Sequence, residues 1–321
     1  MKAYITGVGG VVGSALAPFL KNKGYEVIGS YYQPTTDINE IDPTIRIFEL
    51  DLRDHAKVME VINKELPDVI YHFAAQSRPV PSWSDPYYTM DVNVCGTVAI
   101  LEAVKAARLV HEGYDPNVIA ISSSAIYGDA LQQYTEDNLP DESCALLPLH
   151  PYGVSKAAED LLCYQYYKNF GIKTMRIRLF NCTGRNKDQD ITGDFAKRAV
   201  KLEREGGNKL VVGNLTAKRA ILDVRDLCSA LYILNEKGSA GEPYNICSSH
   251  IFRMDHVVEC LEEVMGVKYE LVTDPKLLRP ADEKLYAGRC DKIKKLGWKE
   301  EYEYIDTVRE AVNYWRTKKF D

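Results

Sequence analysis

The first half of the chain alternates apolar segments with amphipathic ones, and this pattern restricts the fold more than any other feature. The apolar segments are apolar nearly throughout, as strands are when helices cover both faces of a parallel sheet. The sequence therefore predicts an α/β fold with a doubly wound parallel sheet. The predicted strands are Lys2–Thr6, Glu26–Ser30, Ile45–Leu50, Asp68–Ala74, Asn117–Ser122 and Lys173–Leu179, and helices are predicted after Gly10 and at His55–Glu65, about Met90–Arg108 and Pro151–Phe170.

The pattern changes after Phe180, where glycine and charged residues become frequent and the apolar segments become short. The 321 residues are enough for about two domains. We expect residues 1–180 to form the sheet domain, completed by segments around 210–250, and residues 181–321 to form a smaller, interleaved α/β lobe. Its predicted elements are the strands Leu210–Val212 and Tyr244–Cys247 and the helices Asp255–Met265 and Tyr304–Thr317.

Charge and cysteine usage exclude several classes of function. Lys and Arg number 40 against 46 Asp and Glu, a net charge of −6, which disfavours a nucleic-acid partner. No apolar run approaches the ~20 residues of a membrane helix. The eight cysteines and six histidines lack the spacing of metal sites or disulfide frameworks. We therefore expect a cytoplasmic protein with reduced thiols and no metal.

A glycine-rich turn, Thr6–Gly13, lies between the first predicted strand and the first helix. A side chain at Gly7 or Gly10 would hold a pyrophosphate away from the backbone, and Gly13 allows close packing of helix on strand. The helix N-terminus adds N–H donors and a positive dipole. The strand–turn–helix context therefore predicts a Rossmann-type dinucleotide site formed by Gly7, Gly10, Val11, Val12 and Gly13.

The residue that contacts the adenosine ribose is expected at the end of the second strand. An acid there favours NAD, whereas an arginine favours NADP. The sequence has Ser30, Tyr31 and Tyr32, which are neither. Because Ser30 can donate to a phosphate without repelling it, the sequence favours NADP, and NAD remains an alternative.

Tyr152 and Lys156 lie four residues apart and therefore on one face of a predicted helix. An ammonium close to a phenol favours the phenolate, which suits proton transfer to and from a carbinol oxygen. The same spacing also begins at Tyr164 and at Tyr314. Only Tyr152 begins its helix and follows a strand that ends in hydroxyls, where Ser123 could bind the same substrate oxygen.

These motifs together resemble the extended short-chain dehydrogenase/reductase family, which contains nucleotide-sugar epimerases, dehydratases and reductases. The resemblance spans nearly the whole chain and is strongest to the GDP-mannose 4,6-dehydratase and GDP-4-keto-6-deoxy-mannose reductase branch. The matching segments, besides the turn and Ser123/Tyr152/Lys156, include Asp51–Asp54, His72–Ser77, Asn93, Arg178–Asn181, Val212–Asn214, Arg219, Asp223–Asp226, Tyr244–Cys247 and Arg279–Asp282.

The resemblance implies a role for each matching residue. Tyr152 would be the acid/base, Lys156 would bind the nicotinamide ribose, and Ser123 would orient the sugar 4-oxygen. Cofactor contacts beyond the turn would be Ser30, Asp51, Leu52, Ala74, Ala75, Gln76 and Asn93. A nucleoside-diphosphate sugar would contact Ser77, Ser124, Asn181, Arg219, Arg279 and Asp282.

The positions after Ser123 restrict the reaction. Dehydratases of this family use acids there, and this chain has Ser124 and Ala125. Unless a carboxylate comes from Asp91 or Glu136, dehydration is disfavoured. Reduction of a GDP-linked or related 4-keto-(6-deoxy) sugar is favoured, and 4-epimerisation is the alternative. A non-catalytic cofactor-binding module is the other class that stays open.

The sugar and the nucleotide base stay open, because two substrate-side segments depart from the family pattern. These are Arg219–Leu222 and Asn181–Arg185. The long helices near residues 90–108 and 151–170 resemble those through which family members form dimers. We therefore expect a homodimer joined by a four-helix bundle.

Overall fold

The computed structural model describes residues 1–277 and 285–319. Its strands are β1 (Lys2–Thr6), β2 (Glu26–Tyr31), β3 (Arg46–Glu49), β4 (Val69–His72), β5 (Asn117–Ser123), β6 (Lys173–Leu179), β7 (Asn181–Thr183), β8 (Lys209–Val212), β9 (Lys218–Asp223), β10 (Pro243–Ile246), β11 (Ile251–Arg253), β12 (Glu270–Thr273) and β13 (Leu285–Tyr286).

The helices of the first half are α1 (Val11–Asn22), α2 (His55–Glu65), α3 (Pro79–Ser84), α4 (Pro86–Met90), α5 (Gly96–Val110) and α6 (Pro151–Phe170). Those of the second half are α7 (Ile191–Glu205), α8 (Val224–Lys237), α9 (Asp255–Met265), α10 (Asp291–Lys294) and α11 (Tyr304–Thr317). A π-helical turn, Asp91–Cys95, joins α4 to α5. The long helix predicted over residues 90–108 thus begins earlier and has an irregular turn.

A seven-stranded parallel sheet with the order β3-β2-β1-β4-β5-β6-β10 forms the centre of the molecule. Helices α1 and α8 cover one face, and α2, α5 and α6 cover the other. The strand order reverses between β1 and β4, and ligands of such sheets bind at the carboxyl ends of the strands at that point. The predicted α/β class and Rossmann-type sheet are confirmed.

The second half of the chain contributes to the sheet and also builds separate structure. Strand β10 extends the large sheet at its edge beside β6. Strand β9 pairs with β7, β11 and β13, while β8 pairs with β12. Helices α7, α9 and α11 surround a further apolar core. The division into two domains near residue 180 stays a prediction.

The described residues show no membrane-spanning helix, since no helix among them combines the length and the apolarity that a bilayer requires. All eight cysteines are free thiols, and only Cys95 is exposed. A cytoplasmic location stays a prediction.

Candidate active site

The glycine-rich turn packs directly against the loop that follows β4. Gly7 has a φ of +72°, and a Cβ atom there would lie 2.7 Å from the backbone nitrogen of Ala74. A Cβ atom on Gly13 would lie 2.4 Å from the Gly7 carbonyl oxygen. Both positions therefore require glycine, because the backbone of the turn packs closely on the loop after β4 and on its own first residues.

The N-terminus of α1 has the features of an anion site. Gly10 is its N-cap and supplies no side-chain oxygen to the first turn. Val11 and Val12 begin the helix, so their N–H groups and the helix dipole face the carboxyl edge of the sheet. A Cβ atom on Gly10 would meet only the Gly7 carbonyl oxygen, at 3.4 Å, and the Thr35 hydroxyl, at 4.0 Å. These residues fit the pyrophosphate of a dinucleotide.

Ser30 does not reach this crevice, contrary to the prediction. Its side chain is buried, and its hydroxyl hydrogen-bonds the Tyr4 hydroxyl at 2.8 Å. Side chains alternate along a strand, so the next residue, Tyr31, lies on the face of the glycine-rich turn. A Cβ atom on Gly9 would lie 3.3 Å from the Tyr31 Cβ atom. Tyr31 therefore lies beside the glycine-rich turn, and the buried Ser30 hydroxyl no longer favours NADP over NAD.

An arginine that sequence reasoning missed, Arg53, lies beside the residues predicted to flank adenine. Arg53 donates from Nη2 to the Asp51 carboxylate at 2.6 Å and lowers the pKa of that carboxyl group. Its guanidinium lies 5.8 Å from the Tyr32 ring centroid and 5.1 Å from that of Tyr88. Leu52, the other residue predicted to flank adenine, is buried. The motif Asp51–Asp54 contained Arg53, but its spacing gave no sign of the two aromatic neighbours.

Asn93 connects the cofactor side of the crevice to α6. Its Oδ1 atom accepts from the backbone N–H of Gln76 at 2.8 Å, and its Nδ2 atom donates to the Gln76 carbonyl and to Ser155 Oγ, each at 2.9 Å. The loop is also bound to β1, because Ala74 N donates to Thr6 Oγ1 at 3.1 Å.

Two other predicted residues of this loop differ in exposure: Ala75 is half-buried and Ser77 is exposed.

Hydrogen bonds between β5 and α6 bring the predicted catalytic residues to one edge of the sheet. Lys156 Nζ donates to the Ile121 carbonyl at 2.7 Å, and Ser122 Oγ donates to the Lys156 carbonyl at 2.9 Å. Ser123 ends β5, and its hydroxyl accepts from the backbone N–H of Ala125 at 3.1 Å. Ser123 therefore lies beside the first two turns of α6.

Tyr152 lies in the first turn of α6 and is 9% exposed. His150 is the N-cap, and its Nδ1 atom accepts from the Gly153 N–H at 2.9 Å. The His150 and Tyr152 rings are nearly parallel, with centroids 5.8 Å apart. Burial lowers the pKa of His150, so a neutral imidazole packs on the phenol near neutral pH.

The predicted substrate residues have different environments. Ser124 is buried, with its hydroxyl 2.6 Å from the Tyr286 hydroxyl, so the structure places this hydroxyl in a protein contact and not in the cleft. Asn181 begins β7 and is half-buried. Arg219 lies on β9, where Nη1 donates to the Lys218 carbonyl at 2.9 Å. The other two predicted contacts, Arg279 and Asp282, lie outside the described residues.

The two carboxylates considered as the acid or base for dehydration lie in exposed positions. Asp91 and Glu136 are both exposed, and Glu136 forms an ion pair with Lys218. Ser124 and Ala125, at the positions where acids were expected for dehydration, are both buried, and Ala125 has no proton to transfer.

Residues 4–311 match the model of the protein family described as GDP-mannose 4,6 dehydratase. The chain belongs to this family. A relative named GDP-6-deoxy-D-mannose reductase, from Pseudomonas aeruginosa, is 31% identical over 258 residues, which are 79% of this chain and 82% of that protein. A putative UDP-glucose 4-epimerase from Methanocaldococcus jannaschii is 28% identical over 97% of both chains.

Solved structures place the same family in a common fold. RMD from Pseudomonas aeruginosa, complexed with NADPH, has a TM-score of 0.82 and 27% identity, and the match covers 98% of this chain and 99% of that one. The Thermus thermophilus UDP-glucose 4-epimerase in complex with NAD has a TM-score of 0.85 at 23% identity, over 99% of both chains. The two solved structures thus share the fold of this chain.

Proposed function

We propose that this protein is an NAD(P)-dependent nucleotide-sugar oxidoreductase that reduces a GDP-linked 4-keto-6-deoxy sugar at C4. The observation that carries the proposal is the arrangement of Ser123, Tyr152 and Lys156 at the carboxyl edge of the sheet, with Ala125 in place of an acid. These three residues are sufficient for carbonyl reduction, whereas dehydration needs a further acid and base. The Pseudomonas aeruginosa relative, named as a reductase, supports the choice.

The residues of the chain would divide the chemistry as follows. A bound reduced nicotinamide would supply a hydride to the sugar C4. Tyr152 would donate its phenol proton to the carbonyl oxygen, so that the carbonyl becomes a secondary alcohol. The Ser123 hydroxyl would hydrogen-bond the same oxygen and orient it. Lys156, fixed by the Ile121 carbonyl, would keep a cation beside the phenol and restore its proton from solvent.

The test is the reduction of GDP-4-keto-6-deoxy-D-mannose by NADPH or NADH. The reaction is monitored through the loss of absorbance of the reduced nicotinamide. We expect one equivalent of reduced cofactor to be oxidised per sugar alcohol formed. A panel of other nucleotide 4-keto sugars identifies the base and the sugar. Absence of oxidation with every keto sugar contradicts the proposal.

A 4-epimerase is the second candidate, because the Methanocaldococcus jannaschii relative matches over 97% of both chains and bears that name. Epimerisation uses the same three residues but keeps its cofactor through turnover. Interconversion of unreduced UDP- or GDP-hexoses without added reductant would establish it. Cofactor binding without either turnover would indicate a non-catalytic module.

We also propose that NADPH is preferred over NADH, with Arg53 binding the 2′-phosphate. Tyr31 leaves the ribose-side position without an acid, and the guanidinium of Arg53 lies between Tyr32 and Tyr88, 39% exposed. A charge-assisted hydrogen bond contributes about 1.5–3 kcal/mol. Arg53→Leu should therefore raise the Kd for NADPH about 10- to 100-fold and change that for NADH by less than about twofold.

Fluorescence titration with each cofactor measures this preference. Arg46→Leu is the matched control. Arg46 is the first residue of β3, the strand that precedes Arg53, but it pairs with Glu65 on α2. The control should retain both affinities. If Arg53→Leu weakens the binding of NADPH and of NADH equally, the assignment of Arg53 to the 2′-phosphate is contradicted.

A homodimer through α5 and α6 is the proposed assembly. Val154, Leu161 and Tyr164 form an exposed apolar stripe on α6, with Leu161 54% exposed. Burial of such a stripe between two copies is favourable. We expect a dimer in sedimentation velocity and a monomer for Leu161→Glu, while Leu271→Glu, on exposed β12, leaves the dimer intact. A monomeric parent protein contradicts the assembly.

A further inference from the structure

Lys156 has a buried acidic partner that sequence reasoning missed. Its Nζ atom lies 2.7 Å from Oε2 of Glu159, and the two side chains are 4% and 1% exposed. They are three residues apart on α6, a spacing that places side chains side by side. The ammonium proposed to act beside Tyr152 is thus half of a buried ion pair.

Among the residues that the structure describes, Lys156 is the one hydrogen-bond partner of the Glu159 carboxyl group. Its Oε1 atom is buried and has no hydrogen-bond partner among the residues that the structure describes. Burial raises the pKa of the Glu159 carboxyl group to about 7, although the charge of Lys156 acts in the opposite direction. A carboxyl group with such a pKa is partly protonated near neutral pH, and a buried oxygen without a partner costs less free energy in the neutral group than in the carboxylate.

Other charged and titratable groups lie on α6 itself and on the elements near it. Asp160 is ion-paired to Arg176 and Arg178 on β6. Burial lowers the pKa of His72 on β4 to about 3 and raises that of the Cys163 thiol on α6 well above its usual range. On α5, Glu102 pairs with Lys105 and accepts from the Tyr166 hydroxyl at 2.6 Å.

We propose that Glu159 is a positioning residue that acts through Lys156 and sets the net charge beside Tyr152. When Glu159 is ionised, the pair with Lys156 is neutral, and when it is protonated the pair carries one positive charge. This inference rests on the proposed roles of Tyr152 and Lys156. It adds a pH-dependent control that the Ser123/Tyr152/Lys156 set does not contain.

The direction of the effect follows from the proton that Tyr152 must donate during reduction. A positive Lys156–Glu159 pair makes the phenol a stronger acid, so proton donation is faster below about pH 7. As the pH rises, Glu159 ionises and kcat/KM falls through an inflection to a lower plateau. In Glu159→Gln the charge of Lys156 is never cancelled. The inflection should disappear from the pH profile. The fall of kcat/KM at the alkaline end of the profile should occur about one pH unit lower.

The first measurement needs no substrate. Infrared difference spectra between about pH 6 and about pH 8 should show the carbonyl stretch of a protonated carboxyl group that ionises over this range. The band should be absent from Glu159→Gln and present in Glu205→Gln, a matched change at an exposed position on α7. A spectrum unchanged by Glu159→Gln overturns the inference, whatever reaction the protein catalyses.

The second measurement is the pH profile of kcat/KM with NADPH and GDP-4-keto-6-deoxy-D-mannose. Glu159→Asp should retain the inflection, because it restores a carboxyl group, and Glu159→Gln should lose it. A uniform fall in rate with an unchanged profile would show a purely structural role and overturn the inference. Failure of the proposed function is recognised separately, because the infrared band would then be seen without turnover.

Discussion

Replacing Tyr152 with phenylalanine is expected to lower keto-sugar reduction by about 10²- to 10⁴-fold. The substitution removes only the hydroxyl, so the carbonyl oxygen loses its proton donor while the ring still packs against His150. The glycine-rich turn and α1 are distant in sequence from this change and keep their geometry. Steady-state oxidation of NADPH measures the loss, and fluorescence titration should give a Kd for NADPH within about twofold of the parent value.

The same helix offers a matched control. Tyr164 also precedes a lysine by four residues, and Lys168 lies 5.8 Å from its ring centroid, but this pair is on the exposed side of α6. Tyr164→Phe should retain full turnover. Substantial activity in Tyr152→Phe, or an equal loss in Tyr164→Phe, would contradict the assigned proton donor.

The regular elements could be predicted because periodic burial determines them. Helices His55–Glu65 and Pro151–Phe170 and strand Lys173–Leu179 have the predicted bounds. The helix predicted from Met90 differs, because it contains the π-helical turn of Asn93. The amide of that residue bonds to Gln76 and Ser155, both distant in sequence. Such contacts leave no trace in hydrophobic spacing.

The roles of the site residues stay predictions, and the structure differs from the expected surroundings at single side chains. Ser30 was predicted as the ribose-side residue from its place at the end of the second strand, but that strand continues to Tyr31 and the Ser30 hydroxyl bonds to Tyr4. Ser124 bonds to Tyr286, 162 residues away, and that pairing exists only in the folded chain. Arg53 and Glu159 were missed for a related reason, since their significance depends on the neighbours that folding supplies.

Removing the charge of Asp160 is expected to lower the stability of the protein strongly. Its buried carboxylate accepts from Arg176 Nη1 at 2.7 Å and from Arg178 Nε at 2.9 Å and Nη2 at 3.1 Å. Removing one partner of a buried ion pair leaves uncompensated charge and costs about 3–5 kcal/mol. Asp160→Asn should lower the free energy of unfolding by that amount, as measured from urea transitions.

An exposed ion pair provides the comparison that isolates the effect of burial on stability. Asp255 bonds to Arg253 with geometry as good, at 2.8 Å, but both side chains are about half exposed. Because solvent screens such pairs, Asp255→Asn should change the free energy of unfolding by less than about 1 kcal/mol. If the two variants lose the same amount, the arginines on β6 are not held as the geometry indicates. A large loss confined to Asp160→Asn would show that this carboxylate anchors α6, and with it Tyr152 and Lys156, to the sheet.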